Sequence, residues 1–253
     1  MSKNINSAYR IREILNLVSK NQDKTPVHEV WAIAFGIEEK DQNKKNFAIS
    51  RCLADLHEEV ELVRAEMSKI GYSQNLYNSS LNKCNSIFAV QLVMGQWQQI
   101  KQQLTPEIIL ALGFCSEILP NEEDLINQES LDELKAMAQE LRTCLEKSTL
   151  PQYTITIIEK HLNKIEEAIA AYKVIGAKAL EEALQSAYGE VIANEVVFEE
   201  AKGTEELGRL SKIWQKTKTV VDGVVDTNKR LGAMQGMAEK GQKVIEFLQD
   251  FNV

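Results

Sequence analysis

The sequence predicts an all-α protein, a multi-helix bundle with long coiled-coil-like helices. Apolar residues recur at alternating steps of four and three along residues 49–70 and again along residues 158–172, a spacing typical of helices that pack along one face. Strand-type alternation is confined to Tyr153, Ile155 and Ile157. The composition, with 44% hydrophobic and 26% charged residues, is that of an ordinary globular chain.

Caps and prolines predict where the helices begin. Thr25-Pro26 and Thr105-Pro106 each offer an N-cap hydroxyl followed by a proline at the first helical position, where the missing N–H is not needed. Ser130 and Glu133 have the spacing of a capping box. The predicted helices span residues 7–20, 26–35, 45–70, 73–103, 106–119, 130–147, 152–175 and 177–201, with one or two more within 204–250.

A change of composition separates the last fifty residues from the rest. Residues 1–200 are predicted to form the helical bundle, with a possible sub-boundary near 121–129. Residues 204–253 are predicted to form an amphipathic, basic and less stable C-terminal helical region, because five glycines lower its helix propensity and residues 209–243 carry a net charge of +5. We therefore expect residues 1–200 to fold without this region and the activity to be lost when it is deleted.

Such a weak amphipathic region needs a surface on which to fold. That surface is the protein's own bundle, another subunit or a lipid interface. Trp214 is interpreted either as a core anchor or as an interfacial aromatic residue. The residues expected to make the partner or membrane contact are Trp214, Lys216, Lys218, Val220, Val224, Lys229, Arg230, Leu231 and Met234.

An acidic stretch lies in the middle of the chain, since residues 102–134 contain eight acids and no base. One interpretation is stabilisation of helix N-termini by acids in the first turn. The other is a docking surface for a basic partner, whose candidate residues are Glu122, Glu123, Asp124 and Glu129. The net charge of −8 argues against general attraction to nucleic acid, so no nucleic-acid partner is expected.

The motifs of common catalytic and metal sites are missing from the sequence. It has no CxxC, HExxH, GxSxG or P-loop pattern, and we predict neither an enzyme nor a bound metal or cofactor. His28, His57 and His161 are expected on helix surfaces, solvated or lightly paired. Reduced, buried core thiols are expected at Cys52, Cys84, Cys115 and Cys144.

Residues 130–191 resemble a segment of uncharacterised bacterial all-helical proteins. In that pattern one helix ends at a Leu-Pro break, here Leu150-Pro151, and a second ends in a glycine turn, here residues 171–176. The sequence VWAIAFGI at residues 30–37 is similar to the same group. The resemblance implies a bacterial cytosolic protein and brings no catalytic motif.

Cytoplasmic localisation is also predicted from the rest of the sequence. The first residues contain no apolar signal segment, and the uncharged residues 84–100 are interpreted as a core helix because they include several Gln and Asn side chains. We predict a non-enzymatic interaction protein that acts through protein–protein contacts, either with another protein or with a second copy of itself. The alternative is a membrane-acting effector, toxin-like or anti-phage, whose C-terminal helices insert into or lie on an anionic lipid surface. The Gly232-x-x-x-Gly236 spacing motivates that alternative.

Overall fold

A computed structural model describes residues 4–124 and 126–224, which form helices joined by short connections. Strands do not occur in this part of the chain, and the only pairing of that type is an isolated bridge between Pro26 and Gln96. This confirms the predicted all-α class. The helices are α1 (Ser7–Ser19), α2 (Val27–Phe35), α3 (Gln42–Ile70), α4 (Asn78–Ile87), α5 (Trp97–Lys101), α6 (Pro106–Ile118), α7 (Gln128–Leu145), α8 (Gln152–Ile175), α9 (Lys178–Ala193), α10 (Glu195–Glu200) and α11 (Glu205–Val224).

The described residues divide into two compact units. Unit 1 contains residues 4–122 and 173–176, and unit 2 contains residues 123–124, 126–172 and 177–224. The chain first passes from unit 1 to unit 2 after Glu122. This point falls in the range 121–129, where the sequence suggests a sub-boundary. The helix α11 belongs to unit 2, whereas the sequence predicts a separate region over residues 204–253.

Unit 1 is built around α3, which packs against α1, α2, α4 and α6. Its apolar stripe at residues 49–67 is buried, so the four-three spacing serves the protein's own core. Next to this stripe, the ring centroid of Trp31 is 5.5–5.9 Å from the ring centroids of Phe35, Trp97 and Phe88. These buried aromatic rings add edge and stacking contacts to the area buried by the aliphatic stripe.

The single helix predicted over residues 73–103 is wrong, and so is the interpretation of residues 84–100 as one core helix. That stretch contains α4 and α5, separated by a turn of 3-10 helix at Val90–Leu92. Tertiary hydrogen bonds explain the break. The N–H of Trp97 donates to the Thr25 carbonyl at 2.9 Å, and the N–H of Val27 donates to the Gly95 carbonyl at 3.1 Å. These backbone groups are therefore not free to continue a helix.

Unit 2 packs α11 against α7 and α9. The stripe of α8 at residues 158–172 is buried here, as are Trp214, Ile213, Leu210 and Leu207 of α11. Part of the basic charge in the last fifty residues is paired within this unit. Arg209 of α11 lies 3.2 Å from Glu140 of α7, and Lys216 of α11 is paired with Glu133, about two turns earlier in α7.

The helix α7 and the helix predicted over residues 177–201 also differ from the prediction. The helix α7 begins at Gln128, because the side chain of Asn127 accepts a hydrogen bond from the Glu129 N–H at 3.1 Å, so the predicted capping box at Ser130 does not start it. The predicted helix over residues 177–201 breaks at Asn194 into α9 and α10. Pro106 is the first residue of α6, as predicted.

The cysteines follow the sequence prediction with one exception. Cys52, Cys84 and Cys115 are free and buried, whereas Cys144 is free and only half-buried. Burial raises the pKa of Cys52 and of Cys84 to about 12 and that of Cys115 to about 11. These three thiols are therefore un-ionised at neutral pH and act as small apolar side chains.

Candidate functional site

An exposed apolar surface lies on α6 in unit 1. Leu110 and Phe114 are one helical turn apart on α6; Leu110 is 75% exposed, whereas Phe114 is half-buried against the core of unit 1. The ring of Phe114 meets that of Tyr72 edge-on, with the centroids 5.4 Å apart. We call these three residues the Tyr72–Leu110–Phe114 patch. Ile70 and Leu76, close to Tyr72 in the chain, are exposed as well.

The sequence of α6 explains why this face is apolar. Residues 108–114 contain no polar side chain, so burial of Ile108 and Leu112 leaves apolar residues on the opposite side of the helix. This all-round apolarity is a signal for the patch that the sequence contains, although the patch is not among the predicted contact residues. On the other side, α3 ends at Gly71 with φ +85°, a conformation that favours glycine, and Tyr72 follows directly.

Gly113 leaves room for the Arg12 side chain of α1 against α6, next to the patch. A Cβ atom at this position would stand 3.3 Å from Nη1 of Arg12 on α1. The Arg12 guanidinium also lies over the Tyr9 ring, 5.4 Å from its centroid. A positively charged side chain therefore lies beside the α6 backbone, one residue from Phe114.

The residues predicted to contact a partner or membrane are not gathered on an exposed surface. Trp214 and Val220 are buried in unit 2, and Val224 is half-buried. Lys216 is paired with Glu133 and Lys218 with Asp222. The remaining predicted contact residues, Lys229, Arg230, Leu231 and Met234, lie outside the described residues.

The four candidate docking acids have different surroundings. The Glu123 side chain is buried in unit 2, where its carboxylate accepts a hydrogen bond from the Ala177 N–H, so it is not on the surface that docking requires. Glu122 is exposed but already engaged, since its carboxylate accepts a hydrogen bond from Arg10 at 2.7 Å. Asp124 and Glu129 are exposed. Docking of a basic partner at these two residues stays a prediction.

Arg10 holds a buried charge cluster in unit 1. Its Nη2 lies 2.9 Å from Oε2 of Glu59, which is only 3% exposed, and its Nε donates to the Val174 carbonyl at 3.0 Å. The guanidinium also donates hydrogen bonds to the Glu122 carboxylate and, at 3.3 Å, to the Ser7 hydroxyl. A buried charge that is paired and hydrogen-bonded in this way is tolerated in a protein interior.

His161 is the second buried polar residue of interest, and its predicted surface position is wrong. It lies inside unit 2, with its ring 5.8 Å from the rings of both Phe198 and Trp214. Its Nε2 is 3.6 Å from Oε2 of Glu190, too far for a hydrogen bond, while Lys164 Nζ lies 2.7 Å from the other oxygen of Glu190. Burial lowers the pKa of His161 to about 4, so its imidazole is neutral at neutral pH.

The other two histidines are closer to the prediction. His57 is exposed and its Nδ1 lies 2.9 Å from the Asn85 side-chain oxygen, and His28 is half-buried. Over residues 4–124 and 126–224 there is no group of three or more His, Cys, Asp and Glu side chains placed to hold a metal ion. None of the helices described in that part of the chain has the length and apolarity needed to cross a bilayer.

Comparison of the chain with protein-family models, with curated proteins and with solved structures gives no match. The resemblance of residues 130–191 to bacterial all-helical proteins therefore stays a prediction.

Proposed function

We propose that the protein is a non-enzymatic interaction protein that binds a protein partner, or a second copy of itself, through the Tyr72–Leu110–Phe114 patch. The observation that carries this proposal is the exposure of Leu110, which is 75%, beside the Tyr72–Phe114 ring pair. Clustered exposed apolar side chains of this kind are typical of protein contact surfaces.

The chemistry of the patch suits a binding surface. A buried leucine stabilises a complex by roughly 1.5–3 kcal/mol relative to an exposed one, so Leu110 has free energy to contribute when a partner covers it. Tyr72 and Phe114 add rigid area with few rotatable bonds, and tyrosine also carries a hydroxyl for a hydrogen bond at the rim. Phe114 is already held against the core of unit 1, so little side-chain entropy is lost there on binding.

The patch replaces the heptad stripes as the proposed basis of interaction. The apolar stripes within residues 49–67 of α3 and residues 158–172 of α8 are buried in their own units, and a partner could reach them only after unfolding. The membrane-acting alternative depends on residues such as Lys229 and Arg230, which lie outside the described residues. Among the described residues nothing favours it, so it stays a prediction.

A comparison of two surface variants tests the proposal. The full-length chain is tagged in its native host, and its complexes are measured by affinity purification and by size-exclusion chromatography with light scattering. Leu110→Glu should weaken the complex by at least about tenfold, because a charge at the centre of an apolar contact is left desolvated. Phe47→Glu is the matched control, since Phe47 is 71% exposed in the same unit but lies on α3.

Equal circular dichroism melting curves would show that both variants are folded. A wild-type chain that stays monomeric and retrieves no protein contradicts the proposal. If Leu110→Glu and Phe47→Glu weaken the complex equally, the contact is not specific to the patch and its assignment there is contradicted.

A further inference from the structure

The short helix α10 is attached to the interior of unit 2 through the ring of His161. Phe198 is the only buried residue of α10, and its ring meets that of His161 edge-on, with the centroids 5.8 Å apart. Trp214 of α11 meets the imidazole at the same centroid distance. The side chains of all three residues are fully buried. The packing of α10 therefore depends on the contact between Phe198 and the imidazole.

The rest of α10 is held weakly. Five of its six residues are not buried. The helical conformation is interrupted before it at Asn194, with φ −122° and ψ 27°, and residues 201–203 form a turn after it. Glu195 and Glu199 are like charges at positions i and i+4, a spacing that disfavours a helix. An element with few buried contacts and a break at each end is expected to open locally, without unfolding of its neighbours.

The side chains around the imidazole leave four buried polar atoms without a hydrogen bond. Both ring nitrogens of His161, Oε2 of Glu190 and Nε1 of Trp214 have no partner among the described residues. Oε2 of Glu190 lies 3.6 Å from Nε2 of the ring, while the other oxygen of Glu190 is paired with Lys164. Folded proteins satisfy most buried polar groups, so such a concentration of exceptions requires a physical explanation.

Protonation of His161 would make this arrangement less stable. The imidazolium has two N–H donors, and Glu190 offers an acceptor near Nε2 only. The second donor, at Nδ1, has no partner among the described residues, and a charged donor buried in this way is costly.

The charges near the ring do not remove this cost. Glu190 on α9 favours the imidazolium and Lys164 on α8 disfavours it, whereas α10 and α11 contact the ring with the uncharged side chains of Phe198 and Trp214. Burial is the largest effect and lowers the pKa of His161 to about 4. The closed arrangement therefore favours the neutral imidazole.

We infer that α10 is an acid-sensitive cap over His161, which opens when the imidazole is protonated. Opening moves Phe198 away from the ring and gives water access to Nδ1, so that both donors of the imidazolium are hydrogen-bonded in the open form. The proton comes from solvent and returns to it when the cap closes. The cap is a local device of unit 2, and the inference does not depend on the Tyr72–Leu110–Phe114 patch.

The sign and size of the pH dependence follow from the two environments of the imidazole. In the open form water surrounds the ring, and its pKa is that of an exposed histidine, about 6.5. Between this value and the pKa of about 4 that burial imposes, the open form binds a proton that the closed form does not, so acid favours opening. The open fraction is expected to rise about twentyfold when the pH is lowered from about 7 to about 5.

Hydrogen exchange of the full-length chain, measured by mass spectrometry at both pH values, tests the inference. Rates are corrected for the pH dependence of the intrinsic exchange. The probes are the amides of α10, such as that of Phe198, which donates to the Asn194 carbonyl at 3.2 Å. We expect their protection to fall about twentyfold on acidification. Urea at about 1 M should leave this fall unchanged, because local opening exposes little surface, whereas protection of α8 and α9 should decrease.

Two variants separate the cap from other effects of acid. His161→Phe keeps a ring against Phe198 but cannot be protonated, so the protection of α10 should change by less than about twofold between the two pH values. His57→Phe, at an exposed position in unit 1, is the matched control and should keep the full effect. A wild-type fall below about threefold, an equal fall in His161→Phe, or a dependence on urea as strong as that of α8 would each overturn the inference.

A second measurement does not require the His161→Phe variant to fold. The pKa of His161 is determined by NMR titration of its ring protons in the wild type and in Phe198→Ala. Loss of the Phe198 ring gives water access to the imidazole, so its pKa should rise from about 4 towards 6.5, and the protection of α10 should be low already near pH 7. An unchanged pKa of His161 in Phe198→Ala would show that α10 does not keep the imidazole dry, and it would overturn the inference.

Discussion

At the residue scale, Arg10 shows how a charged side chain can be part of a core. Its guanidinium lies among the Glu59 and Glu122 carboxylates and the Val174 carbonyl, which come from three distant parts of the sequence. Removing one member of a buried ion pair leaves the other charge without compensation, which is more damaging than removing both. The contribution of Arg10 is therefore best measured with Glu59 as its partner.

We expect Arg10→Met to lower the free energy of unfolding by about 3–5 kcal/mol, because the Glu59 carboxylate would stay buried without a cation. The double variant Arg10→Met/Glu59→Gln should recover a large part of this loss. Urea unfolding of the full-length chain, followed by circular dichroism, measures both. An Arg10→Met variant within about 1 kcal/mol of the wild type would contradict the importance given to this cluster.

His161 makes unit 2 sensitive to acid. Its pKa is about 4 in the folded chain, because burial disfavours the imidazolium, and about 6.5 when exposed on unfolding. Between these values the unfolded chain binds a proton that the folded chain does not, so stability is full above about pH 6.5 and falls as the pH is lowered towards 4. The charged groups that face the ring are Glu190, whose attraction opposes this effect, and Lys164, which adds to it.

When the pH is lowered from about 7 to about 5, we expect this histidine to lower the free energy of unfolding by about 2 kcal/mol. His161→Phe should remove that part of the pH dependence, whereas His57→Phe, at an exposed position, should leave it unchanged. Urea unfolding at the two pH values measures the difference. The same pH dependence in wild type and His161→Phe would show that the imidazole is not held neutral in the interior.

At the element scale, a proline at a helix start and a long apolar stripe are the local signals that predict this fold well. Pro106 starts α6 as expected, and the apolar stripe of α3 is buried as its spacing indicates. The break between α4 and α5 depends instead on backbone hydrogen bonds to Thr25 and Val27, some seventy residues away, so local periodicity could not show it. The burial of His161 likewise depends on Phe198 and Trp214, which come from other helices.

The candidate sites were only partly accessible to sequence reasoning. The exposed face of α6 could be read from its unbroken apolar run, but the ring contact of Phe114 with Tyr72 requires the turn after α3. From the sequence, Trp214 could be either a core anchor or an interfacial aromatic residue. Its full burial in unit 2 shows that it is part of the core. Position along a helix predicts the face of a residue, whereas its burial is decided by the helices that pack there.

The attachment of α11 to unit 2 should depend on burial rather than on its ion pairs. Trp214→Ala should lower the free energy of unfolding by about 3–5 kcal/mol, because a large buried ring is lost. Lys216→Ala, which removes the partly exposed pair with Glu133, should change it by less than about 1 kcal/mol. Thermal and urea unfolding compare the two variants. A larger effect of Lys216→Ala would contradict this account of how α11 is held.

At the scale of the whole molecule, the two units predict a different outcome for truncation than the sequence does. A chain ending at Lys202 was expected to keep its bundle. It would lose α11 and with it four large side chains from the core of unit 2, each worth about 2–5 kcal/mol, which together are comparable to the roughly 5–15 kcal/mol that stabilises a typical domain. We expect unit 2 to unfold while unit 1 stays folded.

Hydrogen exchange measured by mass spectrometry on the truncated chain distinguishes these outcomes. Protection should be lost over α7 to α10 and kept over α1 to α6. A truncated chain that keeps protection in α8 and α9 would show that α11 is dispensable, and it would restore the boundary near residue 203 that the sequence suggested.

The central claim, that the Tyr72–Leu110–Phe114 patch is a protein contact surface, is tested most directly by photo-cross-linking in living cells. A benzophenone amino acid is placed at Leu110, with Phe47 as the equally exposed control position, and adducts are identified by mass spectrometry. The account predicts a discrete adduct, with another protein or with a second copy of the chain, from position 110 and not from position 47. Adducts from both positions alike, or from neither, would contradict it.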